Sequence, residues 1–166
     1  LYRQKMILTD SDLKWIKANE CDEKTIQRYF RDGLHHSYCD GGAGKWTIYY
    51  GLTFDLDNVA VNRSTVWTDE YANRAFIKAC ESAVNKVNKL CERDKVKLTQ
   101  GQFCALVDFQ FNTGALPSST LWKVIASHGS ETEIERQFMR WVYDNKVVMQ
   151  GLKNRRIKEV QKWKQK

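Results

Sequence analysis

From Thr68 onward the apolar residues settle into a helical period: Ala72, Phe76, Ala79, Ala83, Val87 and Leu90 recur every three or four positions. Strand side chains alternate with period two, so only a helix brings all six to one face. The spacing predicts one helix over 69–92, roughly 36 Å long at the usual rise per residue. A rod of that length can join two lobes.

The chain beyond the rod also reads as helical. Thr99 and Gln102 form a capping-box pattern ahead of Phe103, Leu106, Val107 and Phe111. Asn112-Thr113-Gly114-Ala115-Leu116-Pro117 ends that helix, and Ser118 or Ser119 starts another carrying Leu121, Trp122 and Ile125. Ser130 and Glu133 cap a further helix with Ile134, Phe138, Trp141 and Val142 at helical spacing. A turn near Gln150-Gly151 precedes a basic terminal helix. There Arg155, Arg156, Lys158, Lys162 and Lys164 alternate with Ile157, Val160 and Trp163, the pattern of a solvated surface helix.

The chain ahead of the rod is different. Thr9 and Asp12 cap a helix over 11–20 with Leu13, Trp15 and Ile16 on its apolar side. A polar stretch over 21–37 has room for a short helix around Ile26, Tyr29 and Phe30, and Gly41, Gly42 and Gly44 force turns. Residues 46–50 and 55–61 suit a small antiparallel sheet, with Asp55-Leu56-Asp57-Asn58 turning between short extended pieces. The fold class is α+β: a single domain over 1–166 with a sheet-containing lobe over 21–67, the linking helix, and a helical lobe over 93–166 completed by the N-terminal helix. A cleft between the lobes is the natural site.

Twenty-seven Lys and Arg against twenty Asp and Glu give a net charge of +7, which favours an anionic partner. No zinc-finger, helix-turn-helix or RNA-binding pattern accompanies the charge, so nucleic acid is not expected. The opening residues contain no signal-peptide pattern, and no run is apolar enough for stable membrane insertion. The five cysteines, at 21, 39, 80, 91 and 104, show neither CxxC nor metal-ligand spacing. Cys80 and Cys91 stand three turns apart on one helix, too far to bridge. Cys104 reads as a small buried residue, and Cys21 or Cys39 could form a disulfide near the glycine turn. Gly41-Gly42-Ala43-Gly44-Lys45 lacks the full phosphate-loop pattern, and the three histidines form no HExxH. Neither cofactor nor metal is expected.

Two carboxylates suit acid–base work. Glu20, at the end of the first helix, can be half-buried so that its carboxyl donates a proton to a glycosidic oxygen. Asp40, beside the glycine turn, can stay ionised and activate water on the opposite sugar face. Ordinary capping or surface solvation is the competing reading for both.

The chain resembles the phage-type (T4-type) lysozyme and endolysin family, glycoside hydrolase family 24. The resemblance rests on ordered blocks over 9–163: Ile16-Lys17-Ala18-Asn19-Glu20, Tyr38-Cys39-Asp40, Ala43 to Gly51, Leu106 to Gly114, Ser119-Thr120-Leu121 and Gly151 to Glu159. It implies a two-lobed muramidase fold and hydrolysis of the β-1,4 bond between N-acetylmuramic acid and N-acetylglucosamine. It also implies that Glu20 is the general acid, Asp40 the active-site aspartate and Thr47 the residue that positions water. Arg155 or Arg156, with Lys153 the alternative, would approach the acid from the last helix, and Phe111 and Asn112 would shape the helical side of the cleft.

The departures sit close to these residues. Cys21 follows Glu20 where the family has Gly, and the longer gap to Asp40 implies an insertion within 22–37. Asp32-Gly33-Leu34 imitates the family's acid-Gly-apolar pattern, which makes Asp32 the alternative acid. Tyr49 and Leu52 stand where the family has Gly and His. Tyr49 would narrow the cleft, offer a sugar-stacking surface, or mark a wall-binding relative that has lost catalysis. The implied partner is bacterial peptidoglycan, met by a monomer in the periplasm or at the cell wall after phage-mediated release or secretion. An insertion beside the site would also give a cognate immunity or inhibitor protein something to recognise.

Overall fold

The computed structural model describes residues 5–39 and 44–165, so Asp40 lies outside the described residues. The chain divides into two compact units: one spans 9–81, and the other spans Ser82 onward together with the N-terminal segment through Leu8.

In the first unit, helix α1 (Asp10–Glu20) begins as its capping box predicts. Thr9 Oγ1 accepts from Asp12 N–H at 3.1 Å, and Thr9 N–H donates to Asp12 Oδ2 at 3.0 Å. Caps of this kind contribute about 1 kcal/mol. Cys21 is extended and ends the helix, and Asp22 immediately caps α2 (Glu23–Arg28), the short helix expected in the polar stretch. Next come β1 (Phe30–Arg31) and β2 (Leu34–His36), joined by Asp32 and Gly33, both with positive φ. β2 pairs antiparallel with β5 (Val66–Thr68), while β3 (Tyr38–Cys39) pairs with β4 (Trp46–Thr47) in a separate ribbon.

The expected 46–50 strand is shorter, because the chain reverses after Thr47. Ile48 and Leu52 exchange both backbone hydrogen bonds at 2.9 Å, and Tyr49 and Gly51 between them take positive φ. The expected 55–61 piece is reduced to a Phe54–Ala60 bridge around a turn in which Asp55 Oδ1 accepts from the N–H groups of Asp57 and Val59. The N-terminal helix belongs to this sheet-containing unit; the helical unit takes only the segment before it.

Helix α3 (Asp69–Asp94) is the predicted rod, and the division between units falls within it. Its buried stripe runs through Ala72, Phe76, Cys80, Ala83, Val87 and Leu90. Cys80 takes the place expected of Ala79, which is exposed.

In the second unit the N-terminal segment is tied down by Asn88, which accepts from Met6 N–H at 3.0 Å and donates to Met6 C=O at 2.9 Å. Helix α4 (Gln100–Thr113) is buried continuously from Phe103 to Gln110, as a helix enclosed on all sides must be. It ends at Gly114 in the left-handed conformation. A 3₁₀ turn over Leu116–Ser118 leads to α5 (Thr120–Ala126), capped by Ser119, and Ser130 caps α6 (Glu131–Phe138). The periodicity expected to run on to Val142 instead stops at Phe138. A hairpin of β6 (Tyr143–Asp144) and β7 (Val147–Val148) then turns through Asn145 and Lys146, both at positive φ. Helix α7 (Gln150–Trp163) starts at the expected turn, so Gly151 is helical.

Aromatic packing joins these helices. Phe109 meets Phe138 and Trp141 edge-on, with centroids 5.7 and 5.4 Å apart, and Phe138 meets Trp163 at 6.0 Å. Each such side chain contributes about 1.5–3 kcal/mol by leaving water. Among the described residues no helix is long and apolar enough to cross a membrane.

Candidate active site

Glu20 is the last residue of α1, half-buried, and Thr47 lies in β4 directly opposite Tyr38. Both line one cavity of about 620 Å³, whose walls also include Asn19, Tyr38, Lys45, Gly51 and Thr53. Every lining residue comes from the 9–81 unit. The turn between Ile48 and Leu52 brings Gly51 against the acid: a Cβ on Gly51 would stand 3.3 Å from Glu20 Oε2. Gly51 therefore serves twice, since it takes φ +77° and leaves room for a carboxylate.

The other expected residues are spread more widely. Asp32 sits in the exposed β1–β2 hairpin turn and does not line the cavity. Tyr49 does not line it either. Its ring is only 7% exposed, so it offers no sugar-stacking surface; its hydroxyl accepts from Lys17 Nζ at 3.0 Å. Burial raises the Tyr49 phenol, with Asp69 and other acidic neighbours adding to the effect, so it remains a neutral hydroxyl. Burial lowers the Lys17 ammonium, with Asp69 opposing. Phe111 and Asn112 lie at the end of α4 in the helical unit, where Asn112 Oδ1 accepts from Arg156.

Arg155 and Arg156 are buried, not solvated. Arg155 makes a two-pronged pair with Asp108, Nε to Oδ2 at 3.0 Å and an Nη to Oδ1 at 2.8 Å. Arg156 has no exposed surface and places Nε 2.9 Å from Glu159 Oε1, but off the hydrogen-bond axis. Both carboxylate oxygens of Glu159 consequently lack an aligned donor. Burial pushes the Glu159 carboxyl well up, and Asp108 raises it further, first by charge repulsion and then as an acceptor for the protonated Glu159.

Two cavity residues were outside the sequence expectations for chemistry. Cys21 is a free thiol whose Sγ lies 3.7 Å from Tyr38 Oη; burial raises it, and it stays protonated. Asp22 has its carboxyl lowered by the Thr25 hydroxyl and backbone N–H, which employ it as the cap of α2. None of the five cysteines is bridged to another, and among the described residues no cluster could hold a metal ion. His35 Nε2 is 2.8 Å from Asp69 Oδ1.

Residues 31–159 match the family model described as phage lysozyme. The chain is 34% identical over 140 residues to an endolysin of Acyrthosiphon pisum secondary endosymbiont phage 1, covering 81% of this chain and 88% of that protein. It is 33% identical over 113 residues to an endolysin of Bacillus phage B103, covering 67% of this chain but only 41% of the longer relative. Among solved structures it is similar to an endolysin from Escherichia coli O157:H7 phage FAHEc1, with a TM-score of 0.78, 27% identity, and coverage of 98% of this chain and 96% of that one. A small antiparallel-sheet unit, a larger helical unit, a cavity lined by Glu20 and Thr47, and a family match over most of the sequence lead to one conclusion: the chain belongs to the phage lysozyme family of peptidoglycan-hydrolysing glycosidases.

Proposed function

We propose that the chain is a muramidase that hydrolyses the β-1,4 bond between N-acetylmuramic acid and N-acetylglucosamine, with Glu20 as general acid. The observation that carries this reading is the shared cavity: the carboxyl of Glu20 and Thr47 line one space, with Gly51 giving the carboxyl room. Glu20 donates its proton to the glycosidic oxygen as the bond breaks, so the leaving sugar departs as an alcohol. Thr47 holds the water that completes hydrolysis, and Asp40, assigned through the family resemblance, takes that water's proton.

The same reading places a monomer at the bacterial wall or in the periplasm after phage-mediated release or secretion. The α2 segment and β1–β2 hairpin following Glu20 offer a cognate immunity or inhibitor protein a surface beside the cavity. The test is product analysis on purified peptidoglycan by mass spectrometry. New reducing N-acetylmuramic acid ends are expected. Anhydromuramyl ends alone would make the chain a lytic transglycosylase, and binding without any new ends would make it a wall-binding relative.

A further inference from the structure

Tyr49 holds a backbone conformation that its side chain disfavours. Its φ is +56°, and an L-residue there costs about 1–2 kcal/mol relative to the right-handed region. Such strain persists only where the surroundings over-determine it. Lys17 Nζ donates to the Tyr49 hydroxyl and, at 2.6 Å, to Asn73 Oδ1. The same ammonium stands 5.2 Å from the Tyr49 ring centroid. Tyr38 Oη donates to the Tyr49 carbonyl at 3.1 Å, and the Tyr49 ring meets His35 and Tyr50 edge-on with centroids 4.6 Å apart. His35 is in turn fixed by Asp69.

These contacts connect two elements that both reach the acid. Lys17 and Glu20 are three positions apart on α1 and share a face. Tyr49 and Gly51 belong to the one Ile48–Leu52 turn. Lys17 on Tyr49 and Glu20 against Gly51 are therefore two rungs between the same helix and the same turn.

We propose that Tyr49 is a positioning residue for hydrolysis: clamped by Lys17 and Tyr38, it fixes the turn on which the Glu20 carboxyl rests. The inference depends on Glu20 being the general acid. A phenol at this position in place of glycine does not obstruct the cavity; it replaces backbone freedom with a side-chain anchor.

The test is a double-mutant cycle of Tyr49→Phe and Lys17→Met, with Glu20→Gln in the same panel. It reads kcat and KM on soluble peptidoglycan fragments together with thermal midpoints. Tyr49→Phe keeps the ring and loses only the hydroxyl, so the fold survives. Each single variant is expected to lower kcat about ten-fold with KM within about two-fold, because small displacements of a catalytic group act on the chemical step. The double variant should be no worse than Lys17→Met alone, since that single variant already removes the hydrogen bond to the Tyr49 hydroxyl. Wild-type kcat in the single variants, or losses that multiply in the double, would overturn the clamp provided Glu20→Gln is inactive. Retained activity in Glu20→Gln would instead remove the reading on which the clamp rests.

Discussion

Gly51 faces Glu20 across the turn that follows β4: a Cβ at position 51 would stand 3.3 Å from Glu20 Oε2. An exchange of Gly51 for alanine meets two obstacles at once, a positive φ and a carboxylate that must move. Gly51→Ala should lose about 1–2 kcal/mol of stability in urea unfolding. It should also lose at least ten-fold in kcat, because the carboxyl moves while the backbone strains. A stable, fully active variant would show that the contact does not hold the acid.

Arg155 and Asp108 test the interior of the helical unit. Asp108 is fully buried, and Arg155 pairs with both its oxygens. Arg155→Met strands a carboxylate and should cost about 3–5 kcal/mol, whereas Arg155→Met with Asp108→Leu should regain most of that loss. Chemical denaturation of the three proteins measures both steps. A solvated Arg155, as the terminal helix's charge pattern suggested, would predict almost no change.

Glu159 gives the same unit a pH dependence with a definite sign. Its folded carboxyl is raised by burial and by Asp108 above the ordinary value of 4.5. The folded state therefore binds the proton more tightly, so this contribution to stability is full below 4.5 and is lost as pH rises through the folded value. The stability of wild type minus that of Glu159→Gln should fall with pH over that window, by up to about 1.4 kcal/mol per pH unit. Urea unfolding of both proteins from acidic to neutral pH gives the curve. A flat or rising difference would mean that the Arg156 contact dominates.

The helices were legible because caps and periodicity are local signals. Thr9, Thr99, Ser119 and Ser130 all accept the backbone hydrogen bonds that their sequence contexts suggest. The features that escaped local reading depend on distant partners or on positive φ. Tyr49 and Tyr50 have strand-forming side chains, yet the chain turns there because Lys17, Tyr38 and His35 grip Tyr49 from elsewhere in the unit. Asn145-Lys146 turns a hairpin whose outward side chains, Tyr143, Val147 and Val148, are exposed and leave no alternating pattern. Arg155 resembles a surface cation until Asp108, 47 positions earlier, is placed beside it. At the proposed site, the resemblance pointed to Glu20 and Thr47, which line one cavity, while the room Gly51 leaves beside Glu20 emerged only from the turn's geometry.

Thr47→Ala should retain peptidoglycan binding and lose about ten- to a hundred-fold in kcat, because the hydroxyl positions water that a methyl group cannot. Asp40→Asn should fall at least as far if that carboxylate accepts the water's proton. Steady-state release of reducing ends, with pelleting on intact walls to track binding, separates the two effects.

The proposed chemistry stands or falls on Glu20 supplying the proton. Glu20→Gln preserves size and polarity but has no acid to donate, so its kcat for reducing-end release from purified peptidoglycan should drop by about a thousand-fold or more while wall binding and thermal midpoint stay near wild type. Asp32→Asn, changed in the exposed hairpin turn, should remain active. Wild-type turnover in Glu20→Gln together with an inactive Asp32→Asn would contradict the account and move the acid to the hairpin.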